Sequence, residues 1–95
     1  MYKILIVEDD ETIAGGLKNH LEKWNYQAEC MTDFKDVMGK FVEFEPQLVL
    51  LDIVLPFFNG FHWCQEIRKI SKVPIIFLSS VNDNMNIVMA MNMGG

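Results

Sequence analysis

The sequence predicts an α/β domain built on a doubly wound parallel sheet. Three observations predict it: short aliphatic runs alternate with stretches of helical period, the links between them are brief, and acidic residues directly follow two of the runs. Ile4-Leu5-Ile6-Val7 is continuously aliphatic, which suits a strand buried on both faces of a parallel sheet. Leu48-Val49-Leu50-Leu51 and Val73-Pro74-Ile75-Ile76-Phe77-Leu78 have the same character; Pro46 marks the entry to the former, and Pro74 fits a strand's start. Tyr26 to Met31 is more polar, as an edge strand would be.

Between these runs the period lengthens. Ile13, Leu17, Leu21 and Trp24 follow i, i+4, i+8, i+11, one face of a helix. Phe34, Val37, Met38, Phe41 and Val42 predict a second helix, with Thr32 or Asp33 as its cap. Trp63, Ile67 and Ile70 predict a third after Asn59-Gly60. A fourth is expected from about Asn82 to Met93, stopped by Gly94-Gly95. The resulting βαβαβαβα order implies right-handed crossovers with helices on both faces of the sheet.

Composition narrows the function. The 95 residues make at most one domain, and 51% hydrophobic with 22% charged residues is a globular balance. No apolar run approaches the roughly 18–20 residues of a membrane span, and MYKILIVEDD has too short an apolar run for a signal peptide. Both points favour a cytoplasmic protein. Thirteen acids against eight bases give a net charge of −5, which argues against this segment gripping nucleic acid itself. Cys30 and Cys64 lie in apolar surroundings without metal-ligand spacing and read as buried free thiols. His20 and His62 are isolated and expected on helix surfaces, so no zinc site is expected.

In an open parallel sheet, chemistry collects at the carboxyl ends of the strands. Here the first strand ends in Glu8-Asp9-Asp10, the third in Asp52 and the fourth in Ser79-Ser80. Carboxylates so close repel one another, and a divalent cation such as Mg2+ resolves that conflict through oxygen ligands. A carboxylate beside such an ion can attack phosphorus, and Ser79 could hydrogen-bond a phosphoryl oxygen. Each acid also has a plainer reading. Asp10 is best taken as a helix cap, and Glu8 and Asp9, alone, could serve the same helix dipole.

The motifs KILIVEDDETI, LVLLDIVLPFFNG and VPIIFLSS, in this order, resemble the receiver domains of two-component response regulators, especially the OmpR/PhoB type. NGFHWCQEIRK followed by FLSS looks like a subgroup whose kinases respond to envelope stress or peptide antibiotics. The resemblance implies a flavodoxin-like (CheY-like) fold with strand order 2-1-3-4(-5). It implies that Asp52 is the phosphoacceptor, that Asp9 ligates Mg2+ directly and Glu8 through water, and that Val54 supplies a backbone carbonyl to the metal. Ser79 matches the hydroxyl that holds and senses the phosphoryl group, and Ser80 the residue whose amide faces it. Leu55-Pro56 and Gly60 match the loop after the acceptor, where Phe57-Phe58 is more apolar than usual. The donor would be a sensor histidine kinase, and the chain a phosphoacceptor signalling domain, limited to self-phosphotransfer, rather than an enzyme.

Receivers of this type continue into a fifth strand, with a lysine that pairs with the phosphoryl group, and a fifth helix. The resemblance therefore implies that residues 1–95 are a receiver domain incomplete at its C-terminus. DNA binding, and a homodimer formed on phosphorylation, would belong to a parent protein with a further C-terminal domain. The Val73–Leu78 strand would become an apolar edge, and the isolated segment is expected to be unstable or to associate. Met85, Met89, Met91 and Met93 fit either core or a partner-binding face of the fourth helix.

Three rival functions make different demands on the sequence. A haloacid-dehalogenase-type phosphatase needs a second Asp two positions after its nucleophile, where Val54 stands. A flavodoxin-type cofactor binder needs a Gly- and hydroxyl-rich phosphate loop, where Glu8-Asp9-Asp10-Glu11 would repel phosphate. The third is a phosphorylation-independent interaction module, a pseudo-receiver; the intact acids, acceptor and hydroxyl speak against it for the parent protein, and it stays open for residues 1–95 alone.

Overall fold

The structure is a computed structural model, and it describes residues 2–79 and 87–91. Strands β1 (Lys3–Val7), β2 (Gln27–Cys30), β3 (Leu48–Asp52), β4 (Ile75–Ser79) and β5 (Ile87–Met91) form one sheet in the order β2-β1-β3-β4-β5. Helices α1 (Glu11–Lys23), α2 (Val37–Phe44) and α3 (Gly60–Arg68) provide the crossovers between the first four strands, which are all parallel. The predicted doubly wound sheet and its 2-1-3-4 order are therefore present.

The period-2 alternation of a strand divides the core into two layers. Leu5, Val7, Val49, Leu51, Ile75 and Phe77 pack with Val37, Phe41 and Phe44 of α2 and with Trp63, Cys64 and Ile67 of α3. Ile4, Ile6 and Leu50 turn to the other face, where Ala14, Leu17 and Leu21 of α1 cover them. Strands sandwiched in this way need no polar residue on either side, which is why their sequences read as unbroken aliphatic runs.

Helix caps set where each crossover starts. Asp10 accepts the amides of Thr12 and Ile13 at 2.9 and 3.2 Å and so caps α1, as its sequence position suggested. Asn59 accepts the His62 amide at 2.9 Å and starts α3. The second helix begins later than expected: Asp36 is its cap, bonded to the Gly39 amide at 3.0 Å. Asp33 instead turns the preceding loop by accepting the Lys35 amide.

Three expected helix faces shift. Ile13 is 41% exposed and Trp24 69%, because the face of α1 that packs runs through Ala14, Leu17 and Leu21, while Trp24 caps the C-terminus. Val42 of α2 points outward, and Ile70 lies beyond the end of α3. Cys64 is buried as predicted, whereas Cys30 is half-buried, with its thiol 3.6 Å from the Ala14 carbonyl.

The fourth helix is the main correction. Of the predicted span, Ile87–Met91 forms a strand antiparallel to β4, with Ile75 opposite Met91 and Ser79 opposite Ile87; the remainder lies outside the described residues. One reason is local and the other tertiary. A helix over this span would include Asn82, Asn84 and Asn86, weak helix formers, while the unpaired main chain of β4 offers hydrogen bonds to any extended neighbour. The predicted free apolar edge at β4 is consequently paired within the chain, and β5 takes the edge position.

Candidate functional site

The site arises from strand register. Val7 of β1 stands beside Leu51 of β3, so one further step brings Glu8 alongside Asp52. Asp52 in turn pairs with Leu78, one residue before Ser79. Topology thus gathers, at the carboxyl ends of neighbouring strands, acids that are distant in sequence.

Glu8, Asp9 and Asp52 can each place one carboxylate oxygen within 4.8 Å of the others. Glu8 and Asp52 are buried and Asp9 is exposed. Burial pushes the Glu8 carboxyl up to about 7, aided by the charge of Asp52 and opposed by the Asp10 amide, which donates to Oε2 at 3.0 Å. Burial also raises the Asp52 carboxyl, while its hydrogen bond with Glu8 and the amides of Val54 and Ile53 pull it down. The two groups share a proton more readily than they bear two charges.

Asp52 Oδ1 is buried and has no hydrogen-bond partner. A carboxylate in that condition, next to two more, has the chemistry of a ligand set for a hard divalent cation, with oxygen donors and spare acceptor capacity. The residues present therefore fit Mg2+.

The loop after Asp52 is held tightly. The Gly60 amide donates to the Ile53 carbonyl at 2.8 Å, closing the turn from β3 into α3. Phe57 takes a positive φ of 70°, with Lys35 Nζ 4.9 Å from its ring centroid. Phe58 stacks on His62 with centroids 4.4 Å apart, so His62 is half-buried rather than a simple surface residue, whereas His20 is exposed. The Val54 side chain faces solvent. Ser79 is the last residue of β4, beside the Asp52 end of β3, and Ser80 lies outside the described residues.

One neighbour was not read from the sequence. A cavity of about 300 Å³ adjoins the acids, and Cys30, Met31, Thr32 and Phe34 form its far wall. Cys30 ends β2 and the others follow it, and only the pairing of β2 with β1 brings them to Glu8 and Asp9.

Comparison with known proteins decides the family. The model of the response regulator receiver domain matches residues 4–95. The chain belongs to that family. This receiver domain is 53% identical over its whole length to the transcriptional regulatory protein YvcP of Bacillus subtilis, covering 40% of that protein. It is 46% identical over 97% of its length to the response regulator protein GraR of Staphylococcus aureus, covering 41% of it. It thus spans about two fifths of these curated relatives.

Among solved structures, the receiver resembles the N-terminal domain of the nisin resistance regulator NsrR, described as a lantibiotic response regulator. The TM-score is 0.80 at 48% identity, covering 92% of this chain and 74% of that one. It also resembles TrrA of Thermotoga maritima in complex with Mg2+ and beryllofluoride, with a TM-score of 0.76 at 32% identity over 83% of this chain and 70% of that one. No helix among the described residues is long and apolar enough to cross a membrane.

Proposed function

We propose that Asp52 accepts a phosphoryl group from the phosphohistidine of a sensor histidine kinase. The observation that carries this reading is the buried, unpartnered Oδ1 of Asp52 beside Glu8 and Asp9. An ionised Asp52 oxygen forms the new P–O bond as the P–N bond to the donor imidazole breaks, an in-line displacement whose catalysis is mainly positioning and charge balance. Asp9, Asp52 and the Val54 carbonyl would hold Mg2+, with Glu8 acting through water. When bound, the ion supplies charge neutralisation for the phosphoryl oxygens. The amides of Ile53 and Val54 already favour the anionic form of Asp52. The Ser79 hydroxyl and the Ser80 amide hold phosphoryl oxygens, and Ser79 carries the change outward by shifting a pre-existing conformational equilibrium.

Residues 1–95 serve as the receiver domain of a longer cytoplasmic regulator of the OmpR/PhoB type. Phosphorylation there promotes dimerisation and transcriptional control through a separate DNA-binding domain. The relatives' greater lengths and the name of YvcP support this reading. The description of NsrR supports a stimulus of the peptide-antibiotic or envelope-stress kind. Incubation with acetyl phosphate is expected to add the mass of one phosphoryl group only when Mg2+ is present, and not to add it to Asp52→Asn. Addition that survives that substitution contradicts the assignment.

A further inference from the structure

The first residue of α3 has no side chain, and its position explains why. Gly60 is buried, its amide bonds the Ile53 carbonyl at 2.8 Å, and a Cβ built on it would collide with the main-chain oxygen of Asp52. The same Cβ would sit 3.0 Å from both Asp52 C and Ile53 Cα. All three obstacles are backbone, so none can swing aside as a flexible side chain would. By contrast, a Cβ at Gly16 in α1 meets nothing within 4 Å.

We propose that Gly60 is a positioning residue for the acceptor, a role that rests on the reading of Asp52 as phosphoacceptor and metal ligand. Its bare Cα lets α3 seat directly on the Asp52 main chain. Its amide then pins Ile53, the residue between the acceptor and the proposed carbonyl ligand Val54. Any side chain at 60 must displace the Asp52–Ile53 backbone. Displacements near 1 Å at a reacting group cost on the order of 100-fold, and loss of a group that orients metal ligands costs about 10- to 100-fold in affinity.

Gly60→Ala is tested in a Gly16→Ala background, because alanine in the open interior of α1 offsets lost stability without touching the site. The readouts are the Mg2+ dissociation constant and the 13C resonances of the Asp52 and Ile53 carbonyls in metal-free protein. The expected result is about 10- to 100-fold weaker Mg2+ binding with shifted carbonyl resonances, against a parent of comparable melting temperature. Asn59→Ala, which loosens the same helix start without adding bulk, is expected to lower the melting temperature but leave Mg2+ affinity near the parent's. Unchanged Mg2+ affinity in Gly60→Ala, or an equal loss in Asn59→Ala, overturns the proposal. If Gly60→Ala does not fold, amide exchange in the unmodified chain decides: Mg2+ must slow exchange at Gly60, and equal rates with and without it overturn the proposal. An unmodified chain that binds no Mg2+ sinks the reading of the acidic site and this proposal with it, whereas binding with an unaffected variant sinks only this proposal.

Discussion

Glu8 and Asp52 share a hydrogen bond at the ends of adjacent strands, with only 5% and 2% of their surfaces exposed. Two buried carboxyls in contact hold a proton more tightly than either does in an unfolded chain. The Glu8 carboxyl rises from an ordinary 4.5 to about 7. Its contribution to stability is therefore complete below pH 4.5 and is lost as pH rises through about 7. The Asp52 carboxyl is raised as well and acts in the same direction. In the presence of a chelator, the stability difference between the native chain and Glu8→Gln is predicted to fall by on the order of 3 kcal/mol over this window. Urea unfolding at pH 4.5 and 7.5 checks it; a flat or rising difference contradicts it.

Replacing Asp52 by Asn removes one of the competing charges while keeping the shape. In metal-free buffer at neutral pH, Asp52→Asn is predicted to be more stable than the native chain by about 1–3 kcal/mol. Mg2+ reverses the ranking by raising the melting temperature of the native chain through binding to the folded state. A calorimetric scan of both proteins, with chelator and with Mg2+, reads all four values. A destabilised Asp52→Asn in chelator would count against the charge repulsion and burial cost assigned to the pair.

Strands β1, β3 and β4 were legible because a sheet covered on both faces demands continuous aliphatic runs, and Ile4–Val7 and Leu48–Leu51 can hardly be anything else. The acids were legible because they end those runs. Burial and hydrogen bonding were not: nothing local distinguishes Glu8, which is buried, from Asp9 beside it, which is exposed. Only the register of β1 against β3 separates them. Periodicity also misplaced Ile13 and Trp24, since Ala14 is small enough to be overlooked yet lies at the centre of the packed face. The failure at Ile87–Met91 is of another kind. A five-residue apolar run suits strand or helix, and the choice rests on the open edge of β4, a tertiary fact.

That strand makes a distinctive prediction. An edge strand bonded to one neighbour protects alternate amides, whereas a helix protects consecutive ones. Hydrogen exchange across Ile87–Met91 is predicted to show slow and fast amides in alternation. Uniform protection through the segment would restore the helical expectation.

Packing separates two residues that look alike in sequence. Ile67 on α3 is fully buried against the sheet, while Val42 on α2 is 58% exposed. Ile67→Ala is predicted to cost about 2–5 kcal/mol, and Val42→Ala no more than about 0.5 kcal/mol. Denaturant midpoints compare them directly, and similar midpoints would contradict the assigned core.

In the proposed reaction Asp52, rather than Glu8 or Asp9, bonds to phosphorus. Borohydride reduces an aspartyl phosphate to homoserine, which marks the acceptor permanently. After incubation with acetyl phosphate and Mg2+, reduction and peptide sequencing by mass spectrometry are predicted to find homoserine at position 52 alone. Aspartate unchanged at 52 with the label at Glu8, Asp9 or any other residue would contradict the assignment of Asp52 as acceptor.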